Sequence, residues 1–375
     1  MGPLSGLRFV EMAGIGPAPF AAMVLADLGA EGIRIESPRP GLALGDRTRD
    51  ITRRGRDSVV VDLRADAGRA LVLDLVAQAD VLIEGFRPGA MERLGLSPEE
   101  CLARRPALVY GRMTGWGQDG PWARTAGHDL DYIAIAGVLA HVGRRGEPPT
   151  PPLNLVGDYG GGAMLLLVGV LAALWEAQRS GRGQVVDAAM VDGAALLMSL
   201  FHAMSAQGLW REEAGINLLD SGAPFYDVYR TSDDRWLAVA CLEPQFYAEW
   251  LRIAGLTDED LPAQFDAPQW DRLRARFAEV VATRTRDEWA ALADGTDACV
   301  APVLTMAEAA RHPQMAARGT LVEVDGLRQP APAPRFSRTP AAEPGPIVAP
   351  RATSLAAWGI DDARISALAE GGVIA

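Results

Sequence analysis

Acid–base side chains beside glycine mark three places in the chain. Gly127-His128-Asp129 puts an imidazole next to a carboxylate in a stretch crowded with Gly and Pro. Gly157-Asp158-Tyr159-Gly160-Gly161-Gly162 puts a carboxylate just ahead of a long apolar run. There it can cap a helix, or face a substrate held where free N–H groups stabilise developing negative charge. Glu243-Pro244 opens another predicted helix, with proline in its favoured first position. His, Asp and Glu side chains are the ordinary carriers of general acid–base catalysis. Each group also suits a plain structural role: a loop histidine and two helix-starting carboxylates.

Two further patterns suggest ligands. Gly14-Ile15-Gly16-Pro17-Ala18-Pro19 follows a predicted strand and nearly matches G-x-G-x-x-G, with Glu36 at the end of the next strand as a ribose-binding carboxylate would be. Pro19 stands where the third glycine belongs, and a tight βα turn with helix-starting prolines accounts for the stretch equally well. Arg39, Arg47, Arg49, Arg53, Arg54 and Arg56 crowd one segment, and guanidinium forks match phosphate oxygens; a solvated basic loop is the plain alternative.

All 36 basic residues are arginine, and lysine is absent. Imine chemistry through pyridoxal phosphate or a Schiff-base lysine is therefore excluded, as is a P-loop. A net charge of −12 argues against a nucleic-acid or anionic-membrane partner. Cys101, Cys241 and Cys299 are widely spaced, so neither a disulfide framework nor a zinc site is expected, and no metal ligand set is assigned. No secretory signal is visible and the longest apolar run, Ala163 to Trp175, is too short to span a bilayer, so the expectation is a cytoplasmic protein.

The elements that must position these groups read as an α/β fold. Strands are predicted at Leu7–Met12, Ile33–Glu36, Ser58–Leu63, Val81–Glu84, Ala107–Tyr110 and Val185–Ala188, alternating with helices at Phe20–Leu28 and Asp66–Gln78; this predicts a mainly parallel sheet. Residues 111–160 read as irregular. Ala163 to Gln178 is apolar almost all round and reads as a buried helix, followed by one long helix from Asp192 to Gln207. Residues 225–310 read as a second, smaller domain with one short strand pair and a helix at Gln245–Ala254, and 329–350 as a Pro-rich extended stretch.

With these residues assembled, the chain resembles the family III CoA-transferase superfamily and, within it, the bacterial form of its racemase branch, which acts on 2-methylacyl-CoA thioesters. The matching stretches are GPLSGLR at 2–8, DVLIEGFRPGAMERLGL at 80–96, GRMTGWGQDGP at 111–121, GHDLDYIA at 127–134, PPLNLVGDYGGGAMLLLVGVLAALWE at 151–176, GQVVDAAMVDG at 183–193 and EPQFY at 243–247. The resemblance implies a Rossmann-like CoA-binding domain over 1–188 and 331–375 and a smaller α+β domain over 219–307. Linkers would run over 189–218 and 308–330, and two copies would form an interlocked homodimer. It implies His128 and Asp158 as the two acid–base groups, with Glu243 of a second copy bonded to the histidine. It implies CoA contacts at Arg39, Arg54, Arg56, Val61, Asp62, Leu63, Arg64, Gly85, Phe86, Arg87 and Arg93, and along Gly127, Asp129, Leu130, Asp131 and Tyr132. No cofactor is implied, since CoA arrives as part of the substrate. The family's E-R-P-G appears here as Glu36-Ser37-Pro38-Arg39-Pro40-Gly41. A transferase using Asp158 as nucleophile is the alternative; a non-catalytic acyl-CoA- or dinucleotide-binding protein is a remote one.

Overall fold

Phe9, Val10 and Met12 are completely or almost completely buried because β1 (Arg8–Met12) lies inside a six-stranded parallel sheet. The computed structural model describes residues 2–39, 41–42 and 45–375, so Pro40 of the Glu36–Gly41 stretch lies outside the described residues. Chain order alternates strand and helix: β1, α1 (Pro17–Asp27), β2 (Glu31–Glu36), β3 (Asp57–Val60), α2 (Asp66–Val76), β4 (Val81–Glu84), α3 (Ala90–Arg93), α4 (Pro98–Arg104), β5 (Val109–Thr114), α5 (Asp129–Ile135), α6 (Met164–Ser180), β6 (Gln184–Ala189) and α7 (Met190–Leu197). The sheet order is β3-β2-β1-β4-β5-β6, every neighbour parallel. The order reverses between β1 and β4, and in such sheets ligands bind beyond the strands' carboxyl ends at that reversal.

This sheet belongs to one of two compact units, made of Met1–Ala136, Leu153–Met198 and Arg318–Ala375. Its final segment completes the core. Leu355 is wholly buried, Arg8 lies over the Trp358 ring at 3.9 Å, and the Asp62 N–H donates to the Val373 carbonyl at 2.8 Å. The other unit comprises Gly137–Pro152 and Ser199–Ala317, so it takes in a segment that the sequence reading gives to the large domain. It holds α8 (Ser199–Ala206), the antiparallel strands β7 (Tyr226–Arg230), β8 (Trp236–Ala240) and β9 (Val300–Pro302), and helices α9 (Pro244–Ala254), α10 (Trp270–Val281) and α11 (Arg286–Ala293), around buried Phe225, Trp250, Phe277 and Trp289. The sheet has three strands rather than the expected pair.

Other expectations need correction. The fifth strand begins two residues late and runs on to Thr114, because buried Arg112 is neutralised by Glu84 at 2.9 Å and Glu92 at 2.8 Å, so a polar sequence is admitted to the strand. The long helix over 192–207 is two helices broken at Met198, where ψ opens to about 5°. The apolar helix is not buried all round: one face of α6 packs on β5 and β6, while Met164, Val168, Leu171 and Trp175 are exposed. The whole helical run Leu155–Ser180 is long and apolar enough to cross a membrane by length and composition; it lies against a parallel sheet.

Candidate active site

The carboxyl ends of the parallel strands carry most of the residues singled out from the sequence. The Gly14–Gly16 turn follows β1, Arg39 follows β2, Val61 to Arg64 follow β3, Gly85 to Arg93 follow β4, and Gly127 to Tyr132 lie on the excursion after β5. Local bonds shape these turns. The Phe86 N–H donates to buried Glu84 at 2.7 Å, and the Arg64 N–H donates to Asp62 at 3.0 Å. Arg39, Arg64, Arg87 and Arg93 are exposed.

Arg54 and Arg56 lie elsewhere. Arg54 is 2% exposed; it grips Asp27 with Nε at 3.1 Å and Nη2 at 2.5 Å, and Nη1 donates to Gln329 and to the Pro330 carbonyl. Arg56 is equally enclosed, bonded to Glu11 at 2.7 Å and to the carbonyls of Thr52 and Arg54. Their guanidinium donors are taken up by the protein, which corrects the expectation of phosphate contacts at these two positions. Val61 and Tyr132 are also buried, and the Tyr132 hydroxyl donates to the Gly127 carbonyl, so neither side chain faces a ligand surface. Burial pushes the Tyr132 hydroxyl up to about 12, which keeps it a donor.

The dinucleotide reading also fails on Glu36. That carboxylate is buried and held by Arg53, by Arg34 at 3.7 Å and by Arg47 at 3.5 Å, leaving nothing for a ribose. The Gly14 carbonyl accepts from Arg34 at 3.1 Å, and the turn serves a different neighbour. Gly16 has φ 72°, and a Cβ there would lie 3.2 Å from Asp158 Oδ2. The glycine therefore lets the turn close against the carboxyl of Asp158.

Asp158 is not a helix cap. It sits inside a π-helical stretch, Leu155–Ala163, that runs directly into α6; such bulges gather at functional sites. Gly161 and Gly193 permit this geometry by letting the stretch lie backbone to backbone on α7. The Asp158 carboxyl is half-buried, its Oδ2 accepts from Asn154 Nδ2 at 3.0 Å, and its own N–H donates to Asp129 Oδ1 at 2.6 Å. Burial holds the Asp158 pKa above the ordinary carboxylate value and the negative Asp129 adds to this, against the Asn154 bond and the field of His128. His128 is exposed at the start of α5, its N–H donating to Asp131 at 2.9 Å. The unit thus brings His128, Asp129 and Asp158 together. Leu130 and Asp131 are exposed on α5. Glu243 belongs to the other unit, where it is exposed at the start of α9.

Asn154 has no mark of its own in the sequence, and Gly16 stands out there only within the dinucleotide-like turn, not as a neighbour of Asp158. The one signal for Asn154 is its spacing of four residues before Asp158, one helical turn. The contact of Gly16 with Asp158 is between distant segments and has no local signal.

Known proteins share this architecture and much of this sequence. The model of CoA-transferase family III matches residues 4–351. Alpha-methylacyl-CoA racemase of Mus musculus is 46% identical over 90% of this chain and 87% of its own length. The human protein of the same name is 43% identical with the same coverage. A crystal structure of a CAIB/BAIF family protein from Brucella suis superposes with a TM-score of 0.80 at 27% identity, covering 95% of this chain and 99% of that one.

Proposed function

This chain belongs to CoA-transferase family III, and we propose that it interconverts (2R)- and (2S)-2-methylacyl-CoA thioesters by moving a proton on and off the α-carbon. One observation carries the reading. A half-buried carboxyl with a raised pKa, Asp158, lies in the field of an exposed imidazole, His128, at the carboxyl edge of a parallel sheet. The two similar racemases support it.

In this reading the deprotonated partner removes the α-proton from one face and the protonated partner returns it to the other. Neutral His128 acts on the (2S) epimer and ionised Asp158 on the (2R) epimer. Glu243 of a second copy would accept from the other imidazole nitrogen, fixing the tautomer and favouring the cation. With no lysine to form an imine, the enolate is stabilised by backbone N–H groups in the first turn of the helical run from Leu155, other than that of Asp158, which Asp129 occupies. Arg39, Arg64, Arg87 and Arg93, exposed cations beyond the strands' carboxyl ends, would meet CoA phosphates, with Asp62, Leu63, Gly85, Phe86 and Gly127 along the same edge. The reaction calls for no cofactor. The apolar face of α6 supports a homodimer, and the free thiols of Cys101, Cys241 and Cys299 go with a cytoplasmic location.

The test is α-proton exchange from D₂O, followed by NMR on each epimer of a 2-methylacyl-CoA. Asp158→Ala should lose exchange from the (2R) epimer and His128→Ala from the (2S) epimer; undiminished exchange in both variants overturns the scheme. Family membership and the accessible Asp158 carboxyl also favour a transferase reading, in which Asp158 attacks the thioester to form an acyl anhydride and release CoA. That reading predicts a hydroxylamine-trappable adduct on Asp158 and transfer of CoA to a free carboxylate.

A further inference from the structure

Asp129 is a second carboxylate behind the reacting one, and its environment is unlike that of a ligand contact. It is 6% exposed. Its Oδ1 accepts the Asp158 N–H at 2.6 Å, while its Oδ2 is buried with no hydrogen-bond partner among the described residues. Gly157 leaves the room for it, since a Cβ on Gly157 would lie 2.6 Å from Asp129 Oδ1. An acceptor for one backbone N–H could be supplied by an uncharged Asn or Ser. A buried carboxylate that uses one oxygen and leaves the other unpaired costs free energy, so it calls for a use of the charge itself.

We propose that Asp129 is a positioning residue for Asp158: it anchors the Asp158 backbone and puts a fixed negative charge behind the reacting carboxyl. The inference rests on the reading of Asp158 as an acid–base group. The groups facing Asp158 are Asn154 from its own stretch, the Gly16 backbone from the β1–α1 turn, and His128, Asp129 and Tyr132 from α5 and its cap. Asp131 is turned to the His128 N–H, and Arg87 reaches the field of Tyr132. Among these, Asp129 is the anion that bonds the Asp158 main chain, so it makes a second negative charge at Asp158 unfavourable. The effect has a direction. A carboxyl biased toward its protonated form is a readier acid for the (2S) to (2R) conversion and a less abundant base for the reverse.

Asp129→Asn keeps an acceptor for the Asp158 N–H and removes the charge; Asp129→Ala removes both. In Asp129→Asn the acid limb of α-proton exchange from the (2R) epimer should move down by about one pH unit, and racemisation of the (2S) epimer at neutral pH should fall about tenfold. Asp129→Ala should lower the turnover of both epimers further. A wild-type pH profile in Asp129→Asn overturns the inference, whatever Asp129→Ala does. Asp158→Ala, run beside it, separates the two readings. Loss of (2R) exchange there with an unshifted Asp129→Asn profile defeats this inference alone; retained exchange defeats the acid–base reading beneath it. If Asp129→Asn fails to fold, Asp129→Ser, a smaller uncharged acceptor, takes its place: an acid limb moved down by about one pH unit supports the inference, and a wild-type profile overturns it.

Discussion

Gly161 and Gly193 press two helical backbones together: a Cβ on Gly193 would lie 1.9 Å from the Gly161 carbonyl oxygen, and one on Gly161 would lie 2.6 Å from the Ala194 nitrogen. The obstructing atoms are main chain, so no side chain can swing aside. The stretch that carries Asp158 is seated on α7 through this contact. Gly193→Ala should therefore lower stability by about 1–3 kcal/mol or more, the usual cost of overpacking, and reduce turnover as Asp158 shifts. Gly41→Ala, with nothing among the described residues within 4 Å of its Cβ position, is the control for the urea midpoint. Equal midpoints for the two variants would contradict the close approach.

The arginines divide into two kinds, and the division is measurable. Arg54→Ala leaves Asp27 buried and unpaired, so it should cost about 3–5 kcal/mol in urea denaturation. Arg87→Ala removes an exposed cation and should leave the urea midpoint within error while raising KM for acyl-CoA severalfold, with a smaller salt dependence of KM than the unaltered enzyme. The reverse assignment, a stable Arg54→Ala with a raised KM, would return Arg54 to the ligand surface.

Why one arginine cluster reads so differently in sequence and structure is a matter of range. The carboxylate partners of Arg54 and Arg56 are Asp27 and Glu11, in α1 and β1, and nothing within the cluster signals them. The strands were legible where apolar residues run together, as at 81–83 in β4, and slipped where Arg112 and Thr114 are buried by pairing or side-chain bonds. His128 and Asp158 stood out by residue type and glycine context. The π-helical register around Asp158 did not, because it depends on the Gly161–Gly193 contact rather than on local propensity. The break at Met198 carries neither Gly nor Pro and left no mark.

Acid should weaken the smaller unit at Glu308. That carboxylate caps the short helix Met306–Ala309 through the Thr305 N–H at 2.9 Å and takes both Nη atoms of Arg286, at 2.9 and 3.1 Å. The Arg286 bonds, helped by Thr305, hold its pKa down to about 2, from an ordinary 4.5. A carboxylate with a depressed folded pKa contributes stability that is whole above its unfolded pKa and is lost as pH falls through the folded one. Glu308→Gln should therefore have a lower Tm than the unaltered protein at pH 7, with the gap closing between about pH 4.5 and 2 as the native group protonates. A gap that is constant with pH in calorimetry would contradict the assignment.

The exposed face of α6 gives the last prediction. Val168 is 60% exposed and Trp175 66% exposed, one helical face away from the sheet, with Met164 and Leu171 beside them. Contiguous apolar residues on a helix whose other face is already packed need a cover, and a second copy of this chain is the cover the proposed dimer supplies. Val168→Glu would place a charge in that interface while leaving the sheet-facing residues Leu166, Leu167 and Val170 untouched. In sedimentation velocity at micromolar concentration the unaltered protein should run as a dimer and Val168→Glu should shift toward monomer with its far-UV circular dichroism unchanged. Because Glu243 of a second copy is proposed to hold His128, the monomeric variant should lose exchange from the (2S) epimer more than from the (2R) epimer. An unaltered protein that sediments as an active monomer would refute both the cover and the shared site.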